Sequence, residues 1–492
     1  GSVALIQVGL ATNIAALLES EGGRDLIARK VDHLSVMAGA FETIGSNNRY
    51  LEANVVNHVP SMQTLASQWP DQVPVIWSGF SIGKAVTYPR ESIANDFNYT
   101  AHHPVKEAYL LHSGPNHDRP SWDLTSVLYS GVPERGYFGL SPHGRVTVSD
   151  EGLTRFLPAQ GGADKSRGAS KVAPSAKRDR YLTLTPVQAS RVREALVQFV
   201  VQPPRHLETK SQPPVKLIFD TDMGNDVDDA LALAMIHALE RRGACELLAV
   251  TSSKDHAKSL AYIDALNTFY GNPDVPLGAV RKGVTPEIGK YLHLADHYPH
   301  DLKSGEDAPD AISLLRKILA GQADQSVSIV QVGFFTNLAR LVDSPGDGHS
   351  PLGGRELVVK KVKQLVIMAG SFQTIRFNNG YREYNVLKDI PSAQEFAEKW
   401  PVPIIWSGFE IGIAAAYPWQ SVLEDYGYAQ PHPIAESYLA YSPVKPHDRP
   451  SWDLTAVLQA VYPDRAYFKL SAKGQVRVED DGFTSFFVGK NK

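Results

Sequence analysis

The chain has 492 residues, of which 43% are hydrophobic and 21% are charged, and its formal net charge is -4. This charge gives no electrostatic basis for binding nucleic acid or an anionic membrane, and no apolar run is long enough to span a bilayer. A single cysteine, Cys245, excludes an intrachain disulfide and a cysteine-based zinc site. The amino-terminal residues lack signal-peptide features, so a cytoplasmic location is expected, although a targeting signal could lie upstream.

The chain contains an internal duplication, because residues 1–156 match residues 326–486 in the same order. "SVALIQVGLATN" corresponds to "SVSIVQVGFFTN", "VPVIWSGFSIG" to "VPIIWSGFEIG", and "HDRPSWDLTSVL" to "HDRPSWDLTAVL". Residues 215–325 have no earlier counterpart. The pattern indicates two related units in tandem.

The first unit is predicted to span residues 1–204 and to represent only the back part of a domain. A small, basic stretch at about 157–180 is typical of a flexible loop. A closing helix is expected at 185–202, with Thr185 as its cap and a proline in its first turn. Residues 205–213 are expected to be a linker, and 214–492 a nearly complete second domain.

The second unit contains short, mostly apolar, β-branched runs separated by helical patterns. The predicted strands are 215–220, 246–252, 326–333, 362–370 and 402–408. Buried strands that alternate with helices indicate an α/β fold with a mostly parallel, Rossmann-like sheet covered by helices on both faces. Such sheets bind their ligands beyond the carboxyl ends of the strands, where polar segments of this unit converge.

The most polar of these segments is "DTDMGNDVDD", which holds five aspartates within residues 220–229. Asp220 and Asp222 end an apolar strand and point the same way, because strand side chains alternate. Asp228 and Asp229 begin a helix, whose dipole favours negative charge. Hard oxygen ligands at this density suit Ca²⁺ or Mg²⁺, whereas helix capping would account for only one or two of them.

Together with "VGFFTN", "MAG", "EYN" and "WDLTAVL", this motif resembles the inosine–uridine-preferring nucleoside hydrolases. The resemblance covers residues 215–486, and 1–204 in part. It implies a nucleoside hydrolase-like fold and an N-glycosidase that hydrolyses ribonucleosides to ribose and free base with Ca²⁺. It also implies a homo-oligomer with a small-molecule substrate and no nucleic-acid or membrane partner.

The resemblance also implies roles for individual residues. The metal ligands would be Asp222, Asp229, Asp453 and the carbonyl of Val332. The substrate would be held by Asp228, Met368, Glu383, Asn385 and Asp453, and Asp222 is expected to act as the base that activates water. The family's short form has two fewer residues before the Asp-Asp pair, so Asp226 is assigned to support behind the metal ligands.

The chain departs from the family pattern in two places. Many members have a histidine where this chain has Trp452, which could stack on the base or pack in the core. If a general acid exists, the candidates are His447, His432 and His256. The asparagine expected after the second strand is replaced by "SSKDH", which offers Lys254, Asp255 or His256.

Two other functions remain alternatives. A haloacid-dehalogenase-like phosphatase also begins with Asp-x-Asp after an apolar strand, but it would leave "EYN" and "WDLTAVL" unexplained. A catalytically inactive binding or structural protein is the other alternative. It is motivated by the first unit, which keeps Glu52, Asn54, Trp122 and Asp123 but has no aspartate motif.

Overall fold

The chain divides into two compact units, Gly1–Lys210 and Ser211–Lys492, and each is described by itself. The predicted linker falls almost entirely outside the described residues, as does most of the predicted flexible loop. A computed structural model describes residues 2–98, 100–159, 177–202, 213–285, 289–442, 447–465 and 467–489.

The first unit is an α/β structure. Its described strands are β1 (Val3–Gln7), β2 (Val31–Met37), β3 (Val75–Ser78), β4 (Thr87–Tyr88), β5 (Arg119–Pro120), β6 (Gly139–Leu140), β7 (Gly144–Val148), β8 (Thr154–Pro158) and β9 (Asp179–Thr183). Its described helices are α1 (Thr12–Glu19), α2 (Gly23–Lys30), α3 (Ala53–Val56), α4 (Val59–Gln68), α5 (Phe80–Ala85), α6 (Arg90–Asn95), α7 (Pro104–Ser113), α8 (Trp122–Gly131) and α9 (Pro186–Val200), with a 3-10 turn at Pro133–Arg135.

The main sheet of the first unit has the order β1-β2-β3-β9-β7-β8 among the described residues. The strands β1, β2, β3 and β9 run parallel, and β7 runs antiparallel to both β8 and β9. The sequence did not predict β9, because its residues "DRYLT" lie next to a basic stretch and carry a weak apolar pattern. The helix predicted over 185–202 is α9 in the structure, with Thr185 and Gln188 forming a capping box at its start.

The second unit repeats and extends this arrangement. Its described strands are β10 (Val215–Thr221), β11 (Cys245–Lys254), β12 (Leu277–Val284), β13 (Val327–Gln331), β14 (Val362–Met368), β15 (Ile404–Ser407), β16 (Ala416–Tyr417), β17 (Arg449–Pro450), β18 (Gly474–Val478) and β19 (Thr484–Val488). Its described helices are α10 (Asp228–Arg241), α11 (Ala257–Phe269), α12 (Ala311–Ala320), α13 (Thr336–Asp343), α14 (Gly354–Lys361), α15 (Tyr384–Lys388), α16 (Ile390–Lys399), α17 (Phe409–Ala414), α18 (Trp419–Glu424), α19 (Pro433–Tyr441) and α20 (Trp452–Val461), with 3-10 turns at Leu292–His297, Gly305–Asp307 and Pro463–Arg465.

The central sheet of the second unit has the order β12-β11-β10-β13-β14-β15 in the described residues, and every pairing is parallel. The predicted α/β fold class with a mostly parallel sheet is confirmed. The strand β12 was not predicted, because "LGAVRKGV" mixes glycine and charge with its apolar residues. One edge of the sheet contains the carboxyl ends of β10, β11, β13 and β14. The polar segments lie at this edge.

Helices cover both faces of this sheet, as predicted. Along β10, Leu217 and Phe219 belong to the core that packs on α10, α11 and α20. Ile218 points the other way, into the core formed with α12, α13, α14 and α16. The alternation follows from strand geometry, in which successive side chains leave opposite faces. A strand buried on both faces must be apolar throughout, which is the pattern that the sequence showed.

One face of the first unit is uncovered where the matching face of the second unit is buried. Val327 on β13 and Val457 on α20 are 0% exposed, while their counterparts Val3 and Val127 are 54% and 48% exposed. In the second unit, β10 pairs with β13 and α10 packs on α20. The described first unit has no matching strand and helix, which accounts for the difference.

No helix of the described residues combines the length and the apolar character that a membrane crossing needs.

The matched pair Val457 and Val127 yields a stability prediction. Val457→Ala should destabilise the second unit by about 2–3 kcal/mol, because it removes two buried carbons and leaves a cavity. Val127→Ala should change stability by less than about 0.5 kcal/mol, since that side chain is exposed. Hydrogen–deuterium exchange of peptides from each unit reads the two effects separately, and equal effects would contradict the assigned burial.

Candidate active site

The aspartate loop lies between the carboxyl end of β10 and the start of α10. Gly224 turns the chain there at a φ of +113°, and a Cβ on this residue would lie 2.6 Å from the side chain of Leu292. Only glycine meets both conditions without strain. The turn delivers Asp228 and Asp229 to the first helical turn of α10.

Three carboxylates form the centre of the site. One oxygen from each of Asp228, Asp229 and Asp453 lies within 4.8 Å of the other two, and all three side chains are buried. Asp453 comes from the first turn of α20, so the amino ends of two helices converge on the cluster. The backbone N–H of Asp453 also donates to Asp228 Oδ2 at 3.2 Å. Helix dipoles favour anions at this position, which offsets part of their repulsion.

The electrostatics of the cluster call for a cation. Burial raises the pKa of Asp228, Asp229 and Asp453 well above the usual range, and the neighbouring carboxylates raise it further. Like charges this close cannot all ionise unless a cation or protons compensate them. The donor set, made of carboxylate oxygens, fits a hard divalent cation such as Ca²⁺ or Mg²⁺.

Asp222, the predicted base and metal ligand, stands beside this cluster but is not one of its three members. After burial, the negative charge of Asp222 is the largest cause of the raised pKa of Asp229. The two carboxylates are therefore close enough to repel each other. Burial raises the pKa of Asp222 itself to about 6. A carboxylate with this pKa is mostly ionised at neutral pH and is a stronger proton acceptor than an ordinary aspartate.

The structure selects Lys254 from the three residues that the "SSKDH" segment offered. Lys254 ends β11, is 2% exposed, and its Nζ donates to Asn225 Oδ1. The Nδ2 of Asn225 in turn donates to Asp222 Oδ2. Asp255 instead accepts from the N–H of Gly283. A lysine at the carboxyl end of a buried strand was the available signal, because that strand end faces the site.

Asn385 ties two neighbouring strand ends together. Its Nδ2 donates to the carbonyl of Val332 at 2.9 Å and to the carbonyl of Met368 at 3.2 Å. Val332 therefore lies beside the site with its carbonyl oriented by an amide. A carbonyl oxygen has two lone pairs, so this hydrogen bond leaves one for a metal ion.

Glu383 is held by three backbone donors. It caps α15 and accepts from the N–H groups of Gly370 at 3.1 Å, Asn385 at 2.8 Å and Val386 at 3.2 Å. Burial raises its pKa to about 7, and the nearby charge of Asp222 adds to this. The carboxylate is thus held in one orientation and is buried next to other acids. This arrangement suits a group that accepts hydrogen bonds from hydroxyl groups.

Trp452 is half-buried and its contacts favour packing. Its indole N–H donates to the carbonyl of Phe409 at 2.9 Å, and its ring stacks on Phe409 with centroids 5.0 Å apart. Trp122 in the first unit makes the same pair of contacts with Phe80, at 3.0 Å and 5.3 Å. Because this packing occurs also in the unit without an aspartate loop, it needs no substrate to explain it. A contact between Trp452 and a base stays a prediction.

The three candidate acids have structural partners. His432 caps α19, and its Nε2 lies 2.7 Å from the hydroxyl of Tyr428. Burial lowers its pKa to about 4, so it is neutral and cannot act as an acid at neutral pH. His256 caps α11 through Nδ1, and burial lowers its pKa. His447 is exposed, and its Nδ1 lies 3.1 Å from Ser442 Oγ.

The first unit keeps part of the same framework. Glu52 accepts from the N–H of Gly39 at 3.2 Å, and Asn54 Nδ2 donates to the carbonyl of Met37 at 3.0 Å. Asp123, the counterpart of Asp453, is exposed. The scaffold of the site is therefore duplicated, whereas the acidic cluster is described only in the second unit.

A parallel α/β sheet therefore carries, at its carboxyl edge, buried carboxylates that could hold a metal ion and a glutamate–asparagine pair beside them. The family model described as "Inosine-uridine preferring nucleoside hydrolase" matches residues 217–486, which is more than half of the chain. The chain belongs to this family.

Curated relatives match a shorter stretch. Pyrimidine-specific ribonucleoside hydrolase RihA of Salmonella schwarzengrund is 27% identical over 210 residues, covering 40% of this chain and 60% of the relative. RihA of Escherichia coli is 24% identical over 207 residues, with the same coverage. The match thus spans about 60% of the length of these relatives.

Among solved structures, the plant nucleoside hydrolase PpNRh1 is 23% identical with a TM-score of 0.45, and the alignment covers 56% of this chain and 87% of that one. An inosine-uridine preferring nucleoside hydrolase from Bacillus anthracis is 16% identical with a TM-score of 0.43, covering 56% and 91%.

The buried acids of the site predict an unusual pH dependence. Burial raises the pKa of Asp220 and of Glu383 to about 7 in the folded protein. A raised pKa contributes stability that is complete below the unfolded pKa of about 4 and is lost as pH rises through about 7. Chelator-treated protein should therefore lose about 5 kcal/mol of stability between pH 5 and pH 8, with about 2–3 kcal/mol from each of the two carboxyl groups at about 1.4 kcal/mol per pKa unit.

Asp220→Asn is the matched control for this prediction. Thr251 and Asn337 both donate to Asp220 Oδ2, so an asparagine oxygen can accept both bonds while the charge is removed. The variant should show a smaller pH dependence of its thermal unfolding midpoint in chelator. An identical dependence in the variant and the wild type would contradict the assignment.

Proposed function

We propose that the second unit hydrolyses the N-glycosidic bond of ribonucleosides and releases ribose and free base. The buried cluster of Asp228, Asp229 and Asp453 carries this proposal, because it needs a cation and lies within the residues that the family model matches. Calcium is the proposed metal, with Asp222, Asp229, Asp453 and the carbonyl of Val332 as its protein ligands.

Each side chain has a defined task in this proposal. When bound, calcium would orient a water molecule and the ribose hydroxyls and make the water more acidic. Asp222 takes the proton of the attacking water, which its raised pKa favours. Asn225 donates to Asp222 Oδ2 and so leaves Oδ1 as the oxygen that receives the proton.

The ribose is proposed to lie between the acidic cluster and the ends of β13 and β14. Glu383 and Asn385 hold its hydroxyls together with Asp228 and Asp453, and Met368 lines the pocket. Glycosidic cleavage builds positive charge on the sugar, which the surrounding carboxylates stabilise. The rigid backbone contacts of Glu383 support this role, since they fix the carboxylate before substrate binds.

We propose that the first unit is catalytically silent as it stands and serves as a scaffold. The exposure of Asp123 supports this, and so does the absence of a cluster of acids around it among the described residues. A single exposed carboxylate binds calcium weakly.

A nucleoside panel tests the proposed activity. The full chain, with Ca²⁺, should release reducing sugar from at least one of inosine, uridine, cytidine and adenosine. The pyrimidine nucleosides are included because the curated relatives are named pyrimidine-specific. Asp222→Ala should lower kcat by at least about 100-fold, the size of a typical general-base contribution, while circular dichroism stays unchanged.

Asp123→Ala, at the position in the first unit that matches Asp453, is the control and should retain full activity. Sugar release from no nucleoside would favour the inactive binding protein. Phosphate release from a generic phosphoester, without sugar release, would favour the phosphatase alternative.

The metal stoichiometry tests the division of labour between the units. Isothermal titration should find one tight Ca²⁺ site per chain, because the described acidic cluster occurs once. Asp229→Asn should weaken this site at least tenfold, as expected when a direct ligand loses its charge. Asp123→Asn should leave it unchanged, and a second tight site that Asp123→Asn removes would overturn the silent role of the first unit.

A further inference from the structure

Two segments that are far apart in the chain supply the acidic cluster. Asp228 and Asp229 follow β10, whereas Asp453 begins α20, and the bond from the Asp453 N–H to Asp228 spans 225 residues. Where two of these carboxylates are ionised and no metal is bound, their repulsion favours separation of the two helix starts. The packing of α10 on α20 opposes this separation, and so does a contact between the aspartate loop and the segment that precedes α20.

Asp226 and Arg449 make that contact. The Nε of Arg449 donates to Asp226 Oδ1 at 3.0 Å, and its Nη2 donates to Asp226 Oδ2. The pair is bidentate, and both side chains are about four-fifths buried. Bidentate guanidinium–carboxylate pairs fix orientation as well as distance. The pair joins the aspartate loop directly to the segment that leads into α20.

Tyr441 completes the arrangement. Its hydroxyl donates to Asp226 Oδ2 at 3.2 Å and accepts from Arg449 Nη2 at 3.1 Å. The Arg449 guanidinium also lies over the rings of Tyr441 and Trp452, 4.9 Å and 5.4 Å from their centroids. We call Asp226, Arg449 and Tyr441 the clamp.

The backbone on both sides of the clamp is anchored. Arg449 lies in β17 and pairs with Tyr417 of β16, and α20 begins three residues after it. On the other side, the carbonyl of Asp226 accepts from the hydroxyl of Tyr291, which also accepts from the N–H of Gly224. A displacement of Arg449 would therefore move the start of α20, and Asp453 with it.

The first unit offers an internal comparison. It has the same "HDRPSWDLT" sequence, and Arg119 lies 5.7 Å over the ring of Trp122, as Arg449 lies over Trp452. The arginine–tryptophan packing thus exists without an aspartate loop. What the second unit adds is the aspartate loop that carries Asp226, which has no counterpart in the described first unit.

We propose that the clamp positions Asp453 against Asp228 and Asp229, and thereby pre-forms the metal site before the metal arrives. This inference rests on the proposed function for the identity of the site, and it assigns Asp226, Arg449 and Tyr441 as positioning residues.

The clamp predicts that loss of Arg449 changes the Ca²⁺ affinity in the opposite direction from the change that its charge alone would cause. If Arg449 were only a nearby positive charge, its removal would strengthen cation binding by removing repulsion. If it positions Asp453, Arg449→Met should weaken Ca²⁺ binding by about tenfold or more, as losses of supporting partners around metal ligands do. Calorimetric titration of chelator-stripped full-length protein with Ca²⁺ alone measures whether the affinity falls or rises.

Four further variants separate position from charge. Asp226→Asn should weaken Ca²⁺ binding, and the exchange of Asp226→Arg with Arg449→Asp should recover much of the loss, because the ion pair is rebuilt in reverse. Arg119→Met is the matched control in the first unit and should leave binding unchanged. Tyr441→Phe keeps both charges and should weaken binding about threefold, so it tests the clamp even if Arg449→Met does not fold.

The outcomes are decisive in both directions. Weaker binding in Arg449→Met, Asp226→Asn and Tyr441→Phe, with recovery in the exchanged pair, supports the clamp. Wild-type affinity or tighter binding in Arg449→Met, or wild-type affinity in Tyr441→Phe, overturns it while the metal site itself stands. Absence of Ca²⁺ binding by the wild type would overturn the metal site, and the clamp with it.

Discussion

The burial of several carboxylates in one place is the constraint on which the second unit depends. Asp222, Asp228, Asp229 and Asp453 are all at most 4% exposed, and burial raises the pKa of each. Such an arrangement is costly unless helix dipoles, fixed cations and a bound metal compensate it. The amino ends of α10 and α20, Lys254 and Arg449 are the compensation that the chain itself provides.

The duplication within the chain shows which parts of the site belong to the scaffold. The contacts of Glu52 and Asn54 repeat those of Glu383 and Asn385, and Trp122 packs as Trp452 does. These features therefore need no acidic cluster to exist. The cluster itself requires β10 and α10, because they carry the aspartate loop and bury the face of α20 on which Asp453 lies.

Two basic side chains from other segments, Lys254 and Arg449, contact the aspartate loop. The site therefore has an inner and an outer layer. Inside, carboxylates converge where a metal would bind. Around them, Asn225 joins Lys254 to Asp222, and Asp226 joins Arg449 to the loop. The outer layer determines how the inner acids are oriented and how readily they ionise. Both layers are built from strand ends and helix starts, which are more rigid supports than long loops.

Local patterns in the sequence determined the fold class and most of the inner acids. Apolar β-branched runs require buried strands, and "DTDMGNDVDD" after such a run requires a charged site at a strand end. Only the tertiary structure decided that Lys254 rather than His256 binds Asn225 beside Asp222, that Arg449 pairs with Asp226, and that Trp452 packs on Phe409. It also revealed β9 and β12. Their mixed polar and apolar residues adopt an extended conformation because they pair with neighbouring strands. The physical reason is that composition and spacing report local preference, whereas the partners in these contacts lie 29 to 223 residues apart and are chosen by packing.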